Sequence, residues 1–336
     1  MKSLKIKFLM IITVLFLMVS AQSQEKNILK INGTRFEMNG KPFEFTGVSF
    51  FNAIYNPEFN KSIEIRRQWI RKFNDYGINV FRVWCQWDNS IGFIDTGRDK
   101  TMYNPDGTLR SGSLAVLESL IKDADAENTV ILLVLFSHES IGKETRLSDE
   151  ASAKAVAEIS KALKPYRNVI IQIWNEFNYK AIDWYKIVKS IDPQRIVTNS
   201  PGFAGDLGSS EENRIMDYLS PHTSRNDNSH WEIGVKEIEY LQMKFKKPVV
   251  DDEPARRGTP KYGGPKSAVF PTDHIIHIYN MWKAGAYVVY HHDMFQTGYG
   301  SDAIPPNGIP APGFSPYHDA VFNLLKEKDR YLKLLR

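Results

Sequence analysis

Eight short apolar runs, each followed by a segment with helical spacing, restrict this chain more than any other feature. The runs fall at residues 43–50, 79–84, 130–136, 169–174, 195–199, 216–220, 248–252 and 286–290. Several are almost continuously apolar, the pattern of parallel strands covered on both faces. Between them, Leu114, Leu117, Ile121 and Ala124 share one helical face, as do Val156, Ile159 and Leu163, and Trp231, Val235 and Ile238. Further helices are expected at 63–76, 179–191, 273–284 and 318–335, with a weaker pattern near 208–213. Strand–helix units in this number predict a (β/α)₈ barrel, an α/β fold that takes roughly 250 residues before insertions. A doubly wound parallel sheet is the alternative arrangement of the same units. No linker, internal repeat or low-complexity tract divides the chain, so residues 22–336 read as a single domain.

Two shorter segments precede that pattern. Residues 28–47 carry Asn32-Gly33 and Asn39-Gly40 between short alternating runs, the tight-turn signals of a hairpin. Ahead of it, Lys2, Lys5 and Lys7 lead into an apolar run at 8–19 and then Val19-Ser20-Ala21-Gln22, a small-x-small cleavage pattern. These parts predict a secretory signal peptide over residues 1–21, its apolar run too short to span a bilayer. The expected location is therefore periplasmic or extracellular. The full chain carries a net charge of +4, and loss of the three lysines leaves 40 basic against 39 acidic residues. That balance argues against a nucleic-acid partner. No later stretch has the composition of a membrane span. The single cysteine, Cys85, excludes an intrachain disulfide and a cysteine-based zinc site.

Polar residues collect where the apolar runs end. Arg82 and Trp84 close the second run, His138 and Glu139 follow the third, and Asn175 and Glu176 follow the fourth. His222 follows the sixth, Asp251, Asp252 and Glu253 the seventh, and Tyr290, His291 and His292 the eighth. In a barrel these positions form the C-terminal face, where active sites are built. A carboxylate that ends an apolar strand is desolvated, and two across one mouth can divide into general acid and nucleophile. A competing donor set exists: His138, Glu139, His222, His291, His292, Asp251 and Asp252 could ligate a divalent metal, although no tight metal-binding motif is present. A third reading is an inactive barrel that binds carbohydrate through its aromatic residues.

The segment Ile171-Gln-Ile-Trp174-Asn175-Glu176 resembles the strand-four signature of clan GH-A, the retaining glycoside hydrolases that include family 5. Lys247-Pro-Val-Val-Asp-Asp-Glu253-Pro is similar to the strand-seven segment of that clan. Asn79-Val-Phe-Arg82 resembles its second-strand arginine, and His138 and His222 its third- and sixth-strand histidines. Asp251 and Asp252 depart from the pattern, standing where the clan usually has neutral residues, and Tyr290-His-His stands in place of its eighth-strand tryptophan. The resemblance implies a barrel whose floor the hairpin closes. It implies a hydrolase, without cofactor or metal, that cleaves a β-linked glycan with net retention. The long aromatic-bearing segments after the second, seventh and eighth runs favour endo action, and a monomer is expected.

The same resemblance implies Glu176 as acid/base and Glu253 as nucleophile. Asn175 would hold the sugar 2-hydroxyl and Arg82 would keep Glu253 ionised; His138 and His222 are read either as sugar ligands or as hydrogen-bonded core histidines. Trp84, with Trp87, is expected to stack on sugar rings from a strand end. Strand alternation gives three further expectations. Tyr290 and His292 share the pocket face, opposite His291; Asp251 shares the face of Glu253; Asp252 points away.

Overall fold

The computed structural model describes residues 27–88, 96–140, 145–224, 230–253, 270–291 and 316–334. The expected signal peptide, the greater part of the two loops after the seventh and eighth runs, and His292 lie outside the described residues.

The N-terminal strands β1 (Leu29–Asn32), β2 (Arg35–Met38) and β3 (Lys41–Pro42) form an antiparallel sheet of their own. The turn between β2 and β3 puts Asn39 at φ 53° and Gly40 at φ 75°. A two-residue turn that matches strand twist needs positive φ at both positions, and Asn-Gly supplies it with least strain.

Among the described residues, the main sheet has seven parallel strands. Their spatial order is β8 (Ile196–Thr198), β7 (Val169–Asn175), β6 (Val130–Ser137), β5 (Val80–Trp84), β4 (Thr46–Ser49), β10 (Tyr287–Tyr290) and β9 (Val250–Asp251). The gap between β8 and β9 is filled by residues 216–220. That segment was expected as a strand; it forms a single parallel bridge, Leu219 to Val249, and no ladder. Asp217 N donates to Val197 O at 3.0 Å on one side, and Leu219 N to Pro248 O at 3.0 Å on the other. These bonds join the sheet edges and close the barrel.

Helices α1 (Ile63–Asn74), α2 (Ser111–Ala126), α3 (Asp149–Leu163), α4 (Ala181–Ile191), α5 (Ser210–Ile215), α6 (His230–Phe245) and α7 (Pro271–Lys283) separate the strands. The weak pattern near 208–213 is the short α5, capped by Ser209 Oγ accepting from Glu212 N at 3.1 Å. The single C-terminal helix expected at 318–335 is two, α8 (Pro316–Lys326) and α9 (Lys328–Leu334). At the break, Lys328 buries its amine under the barrel and donates to Glu44 O at 2.6 Å.

Strand alternation sorts the core into two layers. Phe81, Val83, Ile131, Leu133 and Ile171 pack outward against the helices. Val80, Leu132, Ile170, Val250 and Val289 point inward, where Phe36, Phe43 and Phe45 meet them from below. Phe36 lies 5.2 Å from both Phe45 and Tyr218 and 5.1 Å from Tyr287, ring centre to ring centre. The hairpin thus plugs the floor, and close packing there leaves no room for a side chain at position 47. A Cβ on Gly47 would lie 2.7 Å from Val289. With the floor sealed, the polar groups at the strand ends face the open mouth.

Candidate active site

Arg82 stands at the centre of the mouth. It is fully buried on β5, and its guanidinium is ringed by acceptors from neighbouring strands. Nε donates to Gln172 Oε1 at 3.0 Å, and Nη2 to Asn175 Oδ1 at 2.7 Å. Nη1 reaches Glu253 Oε1 at 3.3 Å, and Nη2 lies 3.2 Å from Asp252 Oδ2. Gln172 and Asn175 are three residues apart on β7 yet both meet the same guanidinium, so the strand breaks its alternation between them. The planar fork of arginine suits this role, since it aims fixed N–H groups at several acceptors at once.

His222 is the second buried cation. Its Nδ1 lies 3.2 Å from Glu176 Oε1 and 3.3 Å from Glu253 Oε2. Its Nε2 shares a 2.8 Å hydrogen bond with Ser200 Oγ and forms an ion pair with Asp252 Oδ1 at 3.0 Å. Burial alone would pull its pKa down, but the charges of Glu253 and Asp252 and the hydrogen bonds to Asp252 and Glu176 outweigh that and raise it to about 10. His222 is therefore an imidazolium at neutral pH, donating from both nitrogens. A nitrogen of His222 and one oxygen each from Glu176 and Glu253 all lie within 4.8 Å of one another. Three such donors are spaced as a metal's ligands would be, and an ion there would have to displace the imidazole proton.

Glu176 is the partly exposed member of the cluster and sits just past β7 at φ 56°, in the left-handed region that a non-glycine residue enters at a cost. Asn199 holds the chain there. Its Oδ1 accepts from Trp174 N at 2.9 Å and its Nδ2 donates to Phe177 O at 2.9 Å, so it clamps the residues near Glu176 on both sides. Asn199 is steadied in turn by Glu212 Oε1 at 2.7 Å. Burial raises the Glu212 carboxyl to about 7.

The sequence of residues 36–227, more than half of the 336, matches the cellulase model of glycosyl hydrolase family 5. The chain belongs to that family. No curated protein matches it in overall sequence. Among solved structures, it is similar to a family 5 glycoside hydrolase from Bacteroides vulgatus, at 17% identity and a TM-score of 0.64. That match covers 82% of this chain but only 65% of the Bacteroides chain. A mutant of a family 5 mannosidase from Rhizomucor miehei is 14% identical with a TM-score of 0.63, covering 92% of this chain and 98% of its own. An endo-β-1,4-mannanase from Thermotoga petrophila is 18% identical with a TM-score of 0.60, covering 88% and 78%. At such identities the structures establish a shared barrel fold.

Within this family 5 barrel, the structure brings Arg82, Asn175, Glu176, His222 and Glu253 together. His138 begins a short 3₁₀ turn at the mouth, its ring 4.9 Å from that of exposed Phe203 and 6.0 Å from Phe177. Trp84 and Trp87 are buried rather than presented to a sugar. Phe51 covers both, at 4.8 Å and 5.2 Å, and the Arg82 guanidinium lies 4.6 Å over Trp84.

The face assignments at the seventh and eighth strands need correction. Tyr290 turns outward and hydrogen-bonds His318 on α8 at 2.7 Å. His291 is the inward residue: its Nδ1 lies 2.9 Å from Ser49 Oγ and 3.6 Å from Glu253 Oε1. His292, expected inside with Tyr290, lies outside the described residues. Asp251 also turns outward, to Thr223 and, at 3.2 Å, to His277 of α7. Asp252 points in, and so does Glu253. Val250 packs inward and Asp251 outward, so alternation carries through to Asp252 and fails only at Glu253, past the end of the β9 ladder where the chain bends. His291 had a usable signal, because Val289 packs inward at the floor and period two carries that face to 291.

Proposed function

We propose that this chain is a secreted, retaining glycoside hydrolase that attacks a β-linked glycan, with Glu176 as acid/base and Glu253 as nucleophile. The observation that carries this reading is the approach of the two carboxylates, with oxygens within 4.8 Å. A retaining pair stands about 5–5.5 Å apart, whereas an inverting pair leaves about 6.5–9.5 Å for a water. Arg82 favours the ionised form of Glu253 through its contact at 3.3 Å, as a nucleophile requires. Glu176, the more exposed of the two, is placed to protonate the leaving oxygen and then to activate water. A β-mannan is the first substrate to test, because two of the similar structures are a mannosidase and a mannanase. The length of the segments that follow the second, seventh and eighth runs favours endo action, and the tripartite N-terminus supports secretion.

Trapping with a 2-fluoro glycoside, followed by peptide mapping, should place the label on Glu253. Glu253→Gln should abolish turnover of every substrate. Glu176→Gln should release a burst of phenol from an activated aryl glycoside and then turn over slowly, since only the second step still needs a base. Asp252 is the rival nucleophile, as it also faces the mouth. A label there would overturn the assignment.

A further inference from the structure

The carboxylate that the two-glutamate reading leaves unused is Asp252. It is fully buried, with one oxygen 3.0 Å from His222 Nε2 and the other 3.2 Å from Arg82 Nη2. Resting on the proposed roles of Glu176 and Glu253, we propose that Asp252 is a positioning residue that keeps His222 cationic throughout turnover. His222 can then move its Nδ1–H bond from Glu253 to Glu176 as the negative charge moves.

The charges that face His222 decide the matter. Glu176 approaches from the end of β7, Glu253 and Asp252 from the end of β9, and the Ser200 hydroxyl from beyond β8. Arg82 does not touch His222 but pairs with both acids of the β9 end, and His291 faces Glu253 from β10. Before reaction Glu176 holds a proton and Glu253 is an anion. In the first step the Glu253 carboxylate forms an ester bond to the anomeric carbon as the glycosidic C–O bond breaks. The Glu176 proton goes to the leaving oxygen, so the negative charge now resides on Glu176. In the second step water attacks the anomeric carbon, its proton passes to Glu176, and the ester bond breaks to restore the Glu253 carboxylate.

Each glutamate is therefore neutral for half of the cycle, and neither alone can hold a proton on His222 throughout. Asp252 takes no part in bond making and stays an anion in both halves. The cations Arg82 and His222 balance Asp252 and Glu253 at the start, and Asp252 and Glu176 in the intermediate. The balance is unchanged by the step, so no charge is stranded in a buried site where an unpaired one is costly.

Asp252→Asn keeps the shape and removes the charge. ¹⁵N NMR titration of the imidazole, assigned with His222→Gln, should show the His222 pKa falling by about one unit or more. The alkaline limb of kcat should move down by a similar amount, with kcat reduced more than kcat/KM where the second step is limiting. A merely structural role would lower activity equally at every pH. An unmoved imidazole titration or an unmoved alkaline limb overturns the proposal. If Asp252→Asn does not fold, the wild-type glycosyl-enzyme gives a second reading. His222 should keep both ring protons after Glu253 is esterified, and loss of one overturns the proposal. A wild-type protein that hydrolyses no glycan would sink the catalytic reading, while the imidazole titration would still decide whether Asp252 charges His222.

Discussion

At Arg82, acceptors from Gln172, Asn175, Asp252 and Glu253 surround one guanidinium that has no access to water. Removing it would leave two carboxylates buried without that cation, and breaking a buried pair costs about 3–5 kcal/mol. Arg82→Met should therefore lower the free energy of unfolding by about that amount in urea titrations. An unchanged midpoint would show that the pair is not what holds this region. Arg82→Lys should recover part of the stability and little of kcat, because one ammonium cannot serve several acceptors with fixed geometry. The cluster was legible in the sequence because Arg82, Asn175, Glu176, His222 and Glu253 each end or follow an apolar run, where a packed core would admit no polar group. Alternation from inward Val250 and Val289 still carries to Asp252 and His291, one residue past each ladder. It fails at Glu253, two residues beyond the last pair of β9, and that turn of the chain was not legible.

The elements around Glu176 show how a strained residue is supported by its neighbours. The end of β7 would relax from its left-handed turn without the clamp that Asn199 provides from the end of β8. Asn199→Ala should therefore reduce kcat on the order of tenfold to a hundredfold through a displaced acid/base. KM should change little, and an activated aryl glycoside that needs no protonation should lose less in its first step. Equal losses for activated and unactivated substrates would argue against displacement of Glu176 as the cause. Element existence followed well from apolar runs and helical spacing, down to the short α5. The segment at 216–220 reads as a strand because Met216, Tyr218 and Leu219 are apolar, and the structure does bury all three. Its pairing is reduced because side chains take over part of the bonding. Asp217 Oδ2 accepts from Val197 N at 2.8 Å, and Thr198 Oγ1 donates to Tyr218 O at 2.9 Å. Such side-chain substitution leaves no mark in hydrophobic periodicity.

Taken whole, the barrel buries one titratable cation at each end, and the two respond to pH in opposite senses. His222 at the mouth has its folded pKa raised from 6.5 to about 10, so it contributes stability that is fully present below pH 6.5 and lost as pH rises through 10. Lys328 at the floor has its folded pKa lowered by burial from 10.5 to about 8. Its charged form penalises the fold below pH 8, and that penalty is relieved as pH rises towards 10.5, where the unfolded lysine also loses its proton. Differences from wild type isolate each group from the other titrations of the chain. Measured by urea unfolding at pH 7, 8 and 9, the advantage of wild type over His222→Gln should shrink with rising pH. The advantage of wild type over Lys328→Met should grow between pH 8 and 9, or its disadvantage should shrink. Each slope is bounded at about 1.4 kcal/mol per pH unit, the limit for one proton. Parallel slopes would mean that one of the two cations is not charged in the fold as its surroundings dictate. A flat His222→Gln difference would point to a neutral imidazole between the two glutamates, and the charge balance drawn for the mouth would fail with it.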